Sequence, residues 1–201
     1  MKFFIPIMMA LFLAACTQST PAPETAAVDP TKTPANEMIY KAIPGSDVQQ
    51  VTIKNNQGKI KEEGFMLNGV RTGMWLVYDK SQVFPKKMIS YQNDMYNGPY
   101  FEYTERGQMD LKANYVNNKL DGYFAKYKFS NEIVTANYSN GKRNGEYKEF
   151  DERESFLTKL ENYKDDVLDG KVEYYNKDGE IIMSYEYKNG EKVSGGMINP
   201  K

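Results

Sequence analysis

The segment Tyr138-Ser139-Asn140-Gly141-Lys142-Arg143-Asn144-Gly145-Glu146-Tyr147-Lys148-Glu149-Phe150 decides the architecture. Asn140-Gly141 is a pair that accepts positive φ at both central positions of a two-residue type I′ turn, so it predicts a tight hairpin between extended stretches. If Tyr138 pairs with Arg143 across that turn, strand alternation puts Tyr138, Arg143, Gly145 and Tyr147 on one face. The tyrosine ring is then expected diagonally across from Gly145. The missing side chain leaves room for the ring to cover the backbone, as in aromatic rescue of a strand glycine.

The segment recurs along the chain. Gly73, Gly98, Gly122, Gly145 and Gly170 stand 25, 24, 23 and 25 residues apart, each with a companion seven positions upstream: Met66, Tyr91, Tyr115, Tyr138 and Tyr163. Two positions after each glycine come Trp75, Tyr100, Phe124, Tyr147 and Val172, and five positions after come Tyr78, Tyr103, Tyr127, Phe150 and Tyr175. Eleven positions after come Phe84, Met109, Ile133, Phe156 and Ile181. A fixed period of this length marks a repeat architecture. In this alignment all the length variation falls between the last column and the next tyrosine, where the spacing is 7, 6, 5, 7 and 6. A bulge-tolerant strand is expected there.

Turn chemistry divides the repeat in the same way. Asn68-Gly69, Asn93-Asp94, Asn117-Asn118, Asn140-Gly141, Asp165-Asp166 and Asn189-Gly190 follow the tyrosine column and suit type I′ turns. A second, looser turn is expected near Arg106-Gly107, Ser130-Asn131 and Asp178-Gly179. Turn signals this frequent disfavour helices, and the chain reads as all-β: one antiparallel meander of repeated β-hairpins with about 10 to 12 strands. A lone repeat cannot bury enough surface to order itself, so the copies must be continuous.

These residues resemble the bacterial variant of MORN-type repeats, Y-x-N-G-x-x-[ND]-G-x-[WYF]-x-x-[YF], which recurs every 23 to 25 residues over about 51–197. Met66 in place of tyrosine in the first copy, and the glycine slipped to Gly195 after Tyr187, look like capping copies. The family often carries the label antitoxin-like, which the resemblance permits.

Strict alternation points Tyr78, Tyr103, Tyr127, Phe150 and Tyr175 away from the Trp75, Tyr100, Phe124 and Tyr147 column. An exposed stripe of this kind gives large contact area at low entropy cost, suited to a protein or glycan. Two bland readings stand beside it. A bulge can return both columns to one core, or the outer stripe can serve only cross-strand pairing.

The N-terminal region is of a different kind. Lys2, the apolar run Phe3 to Leu13 and Leu13-Ala14-Ala15-Cys16 have the layout of an export signal too short to span a bilayer. The segment resembles a bacterial lipoprotein signal, whose lipobox it matches. The resemblance implies diacylglycerol transfer to the Cys16 sulfur, cleavage before Cys16 and a further acyl chain on its new amino group. The alternative is an ordinary secretory signal with a coincidental cysteine. Two or three acyl chains hold essentially permanently. The expected partner is therefore the membrane, with the protein in the cell envelope outside the cytoplasm, on the outer membrane in a Gram-negative cell. Residues 17–36 carry Pro21, Pro23, Pro30 and Pro34 and no aromatic residue, and read as a solvated tether reaching up to ~60 Å. The expected divisions are 1–15 signal peptide, 16–36 lipidated cysteine and disordered tether, and 37–201 repeat domain.

Composition removes most chemistry. The 201 residues contain 26 basic and 27 acidic side chains, no histidine and one cysteine. That excludes histidine-dependent triads, Cys-His dyads, histidine metal sites and intrachain disulfides, and gives no field for nucleic acid. No cofactor, metal or catalytic residue is expected, and the chain reads as no enzyme. The acid pairs Glu62-Glu63, Asp151-Glu152 and Asp165-Asp166 lie in or beside expected turns, which suits solvated charge better than glycosidase chemistry. The leading expectation is a lipid-anchored scaffold that presents a repeat β surface to a protein or envelope ligand. The alternative is an extracytoplasmic immunity or antitoxin-like protein that neutralises a toxin.

Overall fold

The computed structural model describes residues 36–80 and 83–198. The expectations for the signal peptide, for Cys16 and for the tether up to residue 35 lie outside the described residues. The described part is all-β. Its strands are β1 (Glu37–Ala42), β2 (Val48–Lys54), β3 (Ile60–Leu67), β4 (Val70–Tyr78), β5 (Pro85–Gln92), β6 (Met95–Tyr103), β7 (Met109–Val116), β8 (Lys119–Leu120), β9 (Gly122–Lys128), β10 (Asn131–Ser139), β11 (Lys142–Phe150), β12 (Leu157–Lys164), β13 (Val167–Tyr175), β14 (Ile181–Lys188) and β15 (Glu191–Met197). All pair antiparallel in one sheet in sequence order, with the two-residue β8 on β7 just ahead of β9. The strand number exceeds the sequence expectation partly because β1 and β2 form a hairpin ahead of the motif-bearing copies.

All six expected tight turns have the positive φ at both central residues that type I′ requires, and Phe129-Ser130, in place of the looser turn expected near Ser130-Asn131, is a further two-residue turn with φ of 51° and 70°. Asn93 and Asp94 have φ of 51° and 60°, and Asn140 and Gly141 have 51° and 86°, with the other four pairs alike. The looser turns are organised by their first polar side chain. Asn55 and Asn176 each accept two backbone N–H groups, as does Asp151, and Thr104 accepts one.

Register corrects the expected site of length variation. The aromatic five positions after each glycine pairs with Pro85, Met109, Glu132, Leu157 or Ile181, so Tyr78 to Pro85 spans 7 residues and the later copies 6, 5, 7 and 6. From those partners to the next tyrosine the distance is 6 in every copy, Pro85 to Tyr91 through Ile181 to Tyr187. The loop absorbs the variation and the strand is invariant. A strand cannot lose one residue without turning its side chains to the other face, whereas a surface loop can. The column eleven positions after the glycine is accordingly a mixture. Phe84 and Phe156 precede their strands, Met109 and Ile181 start them, and Ile133 is a bulge residue.

A row of paired residues crosses one face: Val51, Gly64, then Trp75, Ile89, Tyr100, Ala113, then Phe124, Ala136, Tyr147, Glu161, Val172, Tyr185 and Gly195. Bulky residues from the glycine-bearing strands alternate with smaller ones in much of this row, which lets rings interdigitate at interior density. The buried apolar core is concentrated at β2 to β7. Farther along, buried Glu161 takes the place of an apolar residue and is satisfied by Lys159 Nζ at 2.8 Å and the Tyr163 hydroxyl at 3.0 Å.

A side chain at the column glycines would not meet the upstream tyrosine ring of its own copy, and each glycine instead pairs directly across the sheet with the tyrosine of the next copy, Gly145 with Tyr163 and Gly98 with Tyr115. Between Tyr138↔Arg143 and Ala136↔Tyr147 the single residue Asn137 faces Asn144, Gly145 and Glu146, so the glycine lies in a bulge. A Cβ on Gly145 would lie 3.7 Å from Asn137 Cβ, and one on Gly98 would lie 3.1 Å from Ser90 Cβ. Glycine is required for backbone conformation, with φ of 104° at Gly145 and 108° at Gly98. Among the column glycines Gly73 has a ring near its missing Cβ, Phe65 at 3.7 Å, and closer ring contacts occur at other glycines. A Cβ on Gly64 would intrude into the Trp75 indole, and one on Gly107 would lie 2.9 Å from the Phe84 ring.

Candidate binding surface

Tyr78, Tyr103, Phe150 and Tyr175 are the last residues of β4, β6, β11 and β13, and Tyr127 is next to last in β9. Each faces a bulge in the neighbouring strand, where Lys86, Asp110, Ile133, Thr158 or Ile182 is the extra residue. The bulges do not return this column to the Trp75 face. Tyr78 shares its face with Leu76 and with Glu63, Leu76's cross-strand partner. Its hydroxyl donates to Glu63 Oε1 at 2.6 Å.

The stripe is half-buried rather than exposed. Tyr127 donates to Glu132 at 2.9 Å, Tyr175 to Glu173 at 2.6 Å and Tyr103 to the Met88 sulfur at 3.4 Å. Tyr123, not part of the expected column, donates to the same Glu132 at 2.8 Å. Burial together with the adjacent carboxylate pushes the Tyr78, Tyr127 and Tyr175 hydroxyls up to about 12. These rings are therefore held neutral, oriented by their hydroxyl hydrogen bonds and partly open to solvent.

Shallow clefts flank two members of the stripe. One of about 370 Å³ is lined by Asn36, Asn55, Ile60, Lys61, Tyr78, Asp79 and Lys80. Another of about 350 Å³ is lined by Glu102, Asp110, Leu111, Lys126, Tyr127 and Ile133. On the same edge Val83, Phe84 and Phe129 are exposed, Phe129 at 71 %. Sequence reasoning missed Phe129 because it lies outside every column. It occupies the first position of a two-residue turn with φ of 51°, an unusual place for an aromatic and the one local signal available.

The opposite face holds a cation–aromatic ladder. The Arg71 guanidinium lies 4.4 Å from the Trp75 ring centroid and 5.3 Å from that of Tyr91, and hydrogen-bonds Tyr91 Oη at 3.1 Å and Glu62 at 2.8 Å. Arg143 repeats the arrangement over Tyr163 at 3.9 Å and pairs with Asp166 at 3.0 Å. Lys87 bridges Tyr100 and Glu102, and these two hydrogen bonds outweigh burial and raise its pKa.

The acid pairs have structural partners. Glu62 binds Arg71, Glu63 accepts from Tyr78, Asp151 caps a loop and Asp166 accepts the N–H and Nε–H of Arg143. Hydrogen bonds from the Arg143 backbone and side chain hold the Asp166 carboxyl below its usual range. Among the described residues no group of three or more metal-ligating side chains converges. No protein-family model matches the chain, and no curated protein matches it.

Proposed function

We propose that this protein is a lipid-anchored, non-catalytic scaffold of the cell envelope, a variant MORN-type array that binds a protein or envelope ligand along its looser-turn edge. The observation that carries this reading is the half-exposed stripe Tyr78, Tyr103, Tyr127, Phe150 and Tyr175, one ring per copy on one face, with Phe129 exposed beside it. Ordered rings cost little entropy on association, and aromatic anchors dominate protein interfaces. The lipid anchor is supported by the lipobox-like Leu13-Ala14-Ala15-Cys16 and by Cys16 being the only cysteine in the chain.

Two measurements test the parts separately. Cells grown with a labelled fatty acid should label the wild-type chain and leave Cys16→Ala unlabelled; equal labelling of both removes the anchor. A photo-crosslinking residue placed at Phe129 or Tyr103 should trap a discrete envelope component that the same residue at exposed Lys142, beside the tight turn Asn140-Gly141 on the other edge, does not. The adduct should weaken in a Tyr78→Ala, Tyr127→Ala chain. Identical adducts at all three positions would remove the binding edge.

A further inference from the structure

We infer that the two edges of the sheet are complementary and that copies of this chain associate head to tail, β15 of one against β1 of the next. The hydrogen-bonded path runs through fourteen strands, so its first and last strands run in opposite directions and a translated copy continues the antiparallel alternation.

The repeat phase also continues. In every internal junction a glycine-bearing strand is followed by a tyrosine-bearing strand, as β11 by β12 and β13 by β14. By register β1 has the tyrosine-strand role: Ile39↔Thr52 and Met38↔Ile53 on β2 match Glu63↔Leu76 and Glu62↔Val77 on β4. β15 has the glycine-strand role through Tyr185↔Gly195 and Met183↔Met197. A second copy therefore docks in the phase of the junctions inside the array. Extending the core row places Tyr40 of the second copy opposite Gly195, and Met38 of the second copy opposite Met197.

The side chains fit that register. Terminal repeats ordinarily present a polar outer face for solubility. Here β1 exposes Met38, Ile39 and Tyr40, and the β15 edge exposes Val193, Met197 and Ile198, with Met197 at 81 %. Gly195 supplies the small residue opposite the half-exposed Tyr40 ring, the same large-against-small pairing as Tyr100 and Ala113. A heterologous contact whose rotation does not close a ring gives a distribution of lengths. A single strand pair is small beside a standard interface, so the association is weak and concentration-dependent. It holds whether or not Cys16 is lipidated, so its failure and that of the scaffold reading are separate results.

The test uses the full chain carrying Cys16→Ser in detergent. Met38→Cys and Met197→Cys variants, one isotopically heavy, are mixed and mildly oxidised. The mixed disulfide dimer should rise well above the half share given by random collision; random shares would overturn the inference. In sedimentation velocity the coefficient of the Cys16→Ser chain should climb with concentration, and adding Met197→Lys, which puts a charge on the edge, should abolish the climb. A constant single-copy coefficient, or a climb unaffected by Met197→Lys, would also overturn it.

Discussion

The Asp94 carboxylate accepts the backbone N–H of Arg71 at 2.7 Å, while the Asp94 N–H donates to the Arg71 carbonyl at 3.1 Å. This reciprocal pair ties one type I′ turn to the strand following the previous turn. Asn118 and Tyr96 repeat it at 2.7 and 2.9 Å, and Asp166 and Arg143 repeat it at 3.0 and 3.0 Å. Gly141 keeps the donor bond to Leu120 but has no side-chain acceptor, and a different bond, from the Asn140 N–H to the Asp121 carboxylate, ties the same two segments. The turn residues are thus bonds between copies as well as hairpin formers. Asp94→Gly keeps the positive φ and loses only the acceptor, so it should cost about 1 kcal/mol in urea unfolding. Asp94→Ala should cost about 1 to 2 kcal/mol more, from the left-handed backbone.

Gly64 and Trp75 give a sharper local test. The indole is fully buried, with Nε1 donating to Phe65 O at 3.0 Å and Arg71 over its face. Gly64→Ala should destabilise by about 1 to 3 kcal/mol through overpacking. Because Trp75 is the only tryptophan, its fluorescence should shift to longer wavelength without denaturant if the ring is pushed outward.

The column glycines predict additivity. Gly145→Ala should cost about 1 to 3 kcal/mol from its positive φ alone. If φ is the cause, the double variant with Tyr138→Ala should equal the sum of the single effects within about 0.5 kcal/mol. A ring lying on the glycine would instead make the two changes compensate.

Alkaline pH should unfold the sheet in a defined window. The Tyr78, Tyr127 and Tyr175 hydroxyls have folded values raised to about 12, above the ordinary value of 10. Between these values the unfolded chain has lost protons that the folded chain retains, so folding stability falls as pH rises from about 10 through about 12. Their stabilisation is fully present below 10. Urea midpoints at successive pH values should show the fall, phenolate absorbance should lag the ordinary tyrosine titration, and Tyr175→Phe should shrink the pH-dependent loss.

Insertions should discriminate loop from strand. One glycine added after Gly179, where a side chain would meet open space, should cost under about 1 kcal/mol. The same residue added between Ser184 and Tyr185 moves half of β14 to the wrong face and should cost several times as much, by urea midpoint.

The local chemistry of the chain was legible from residue types alone. Asn-Gly and Asn-Asp pairs specify type I′ turns because few other residues tolerate positive φ twice in succession, and a constant period of aromatics and glycines specifies repeated hairpins. Alternation also assigned Tyr78 and Trp75 to opposite faces, because it depends only on the strand's period of two. Register across the looser turns was not legible, since it depends on how a loop of five, six or seven residues is spanned. That is why Phe84 and Ile133 looked like one column and are not. Exposure of the aromatic stripe, the Glu63, Glu132 and Glu173 partners of its hydroxyls, and Gly64 beneath Trp75 arise from neighbours on other strands. Sequence determined the motif-bearing hairpins and the opposite faces of the two aromatic columns, because turns and alternation are properties of adjacent residues. Tertiary structure alone decided which side chains meet, because that follows from inter-strand register and bulges, and no short stretch of sequence contains both partners.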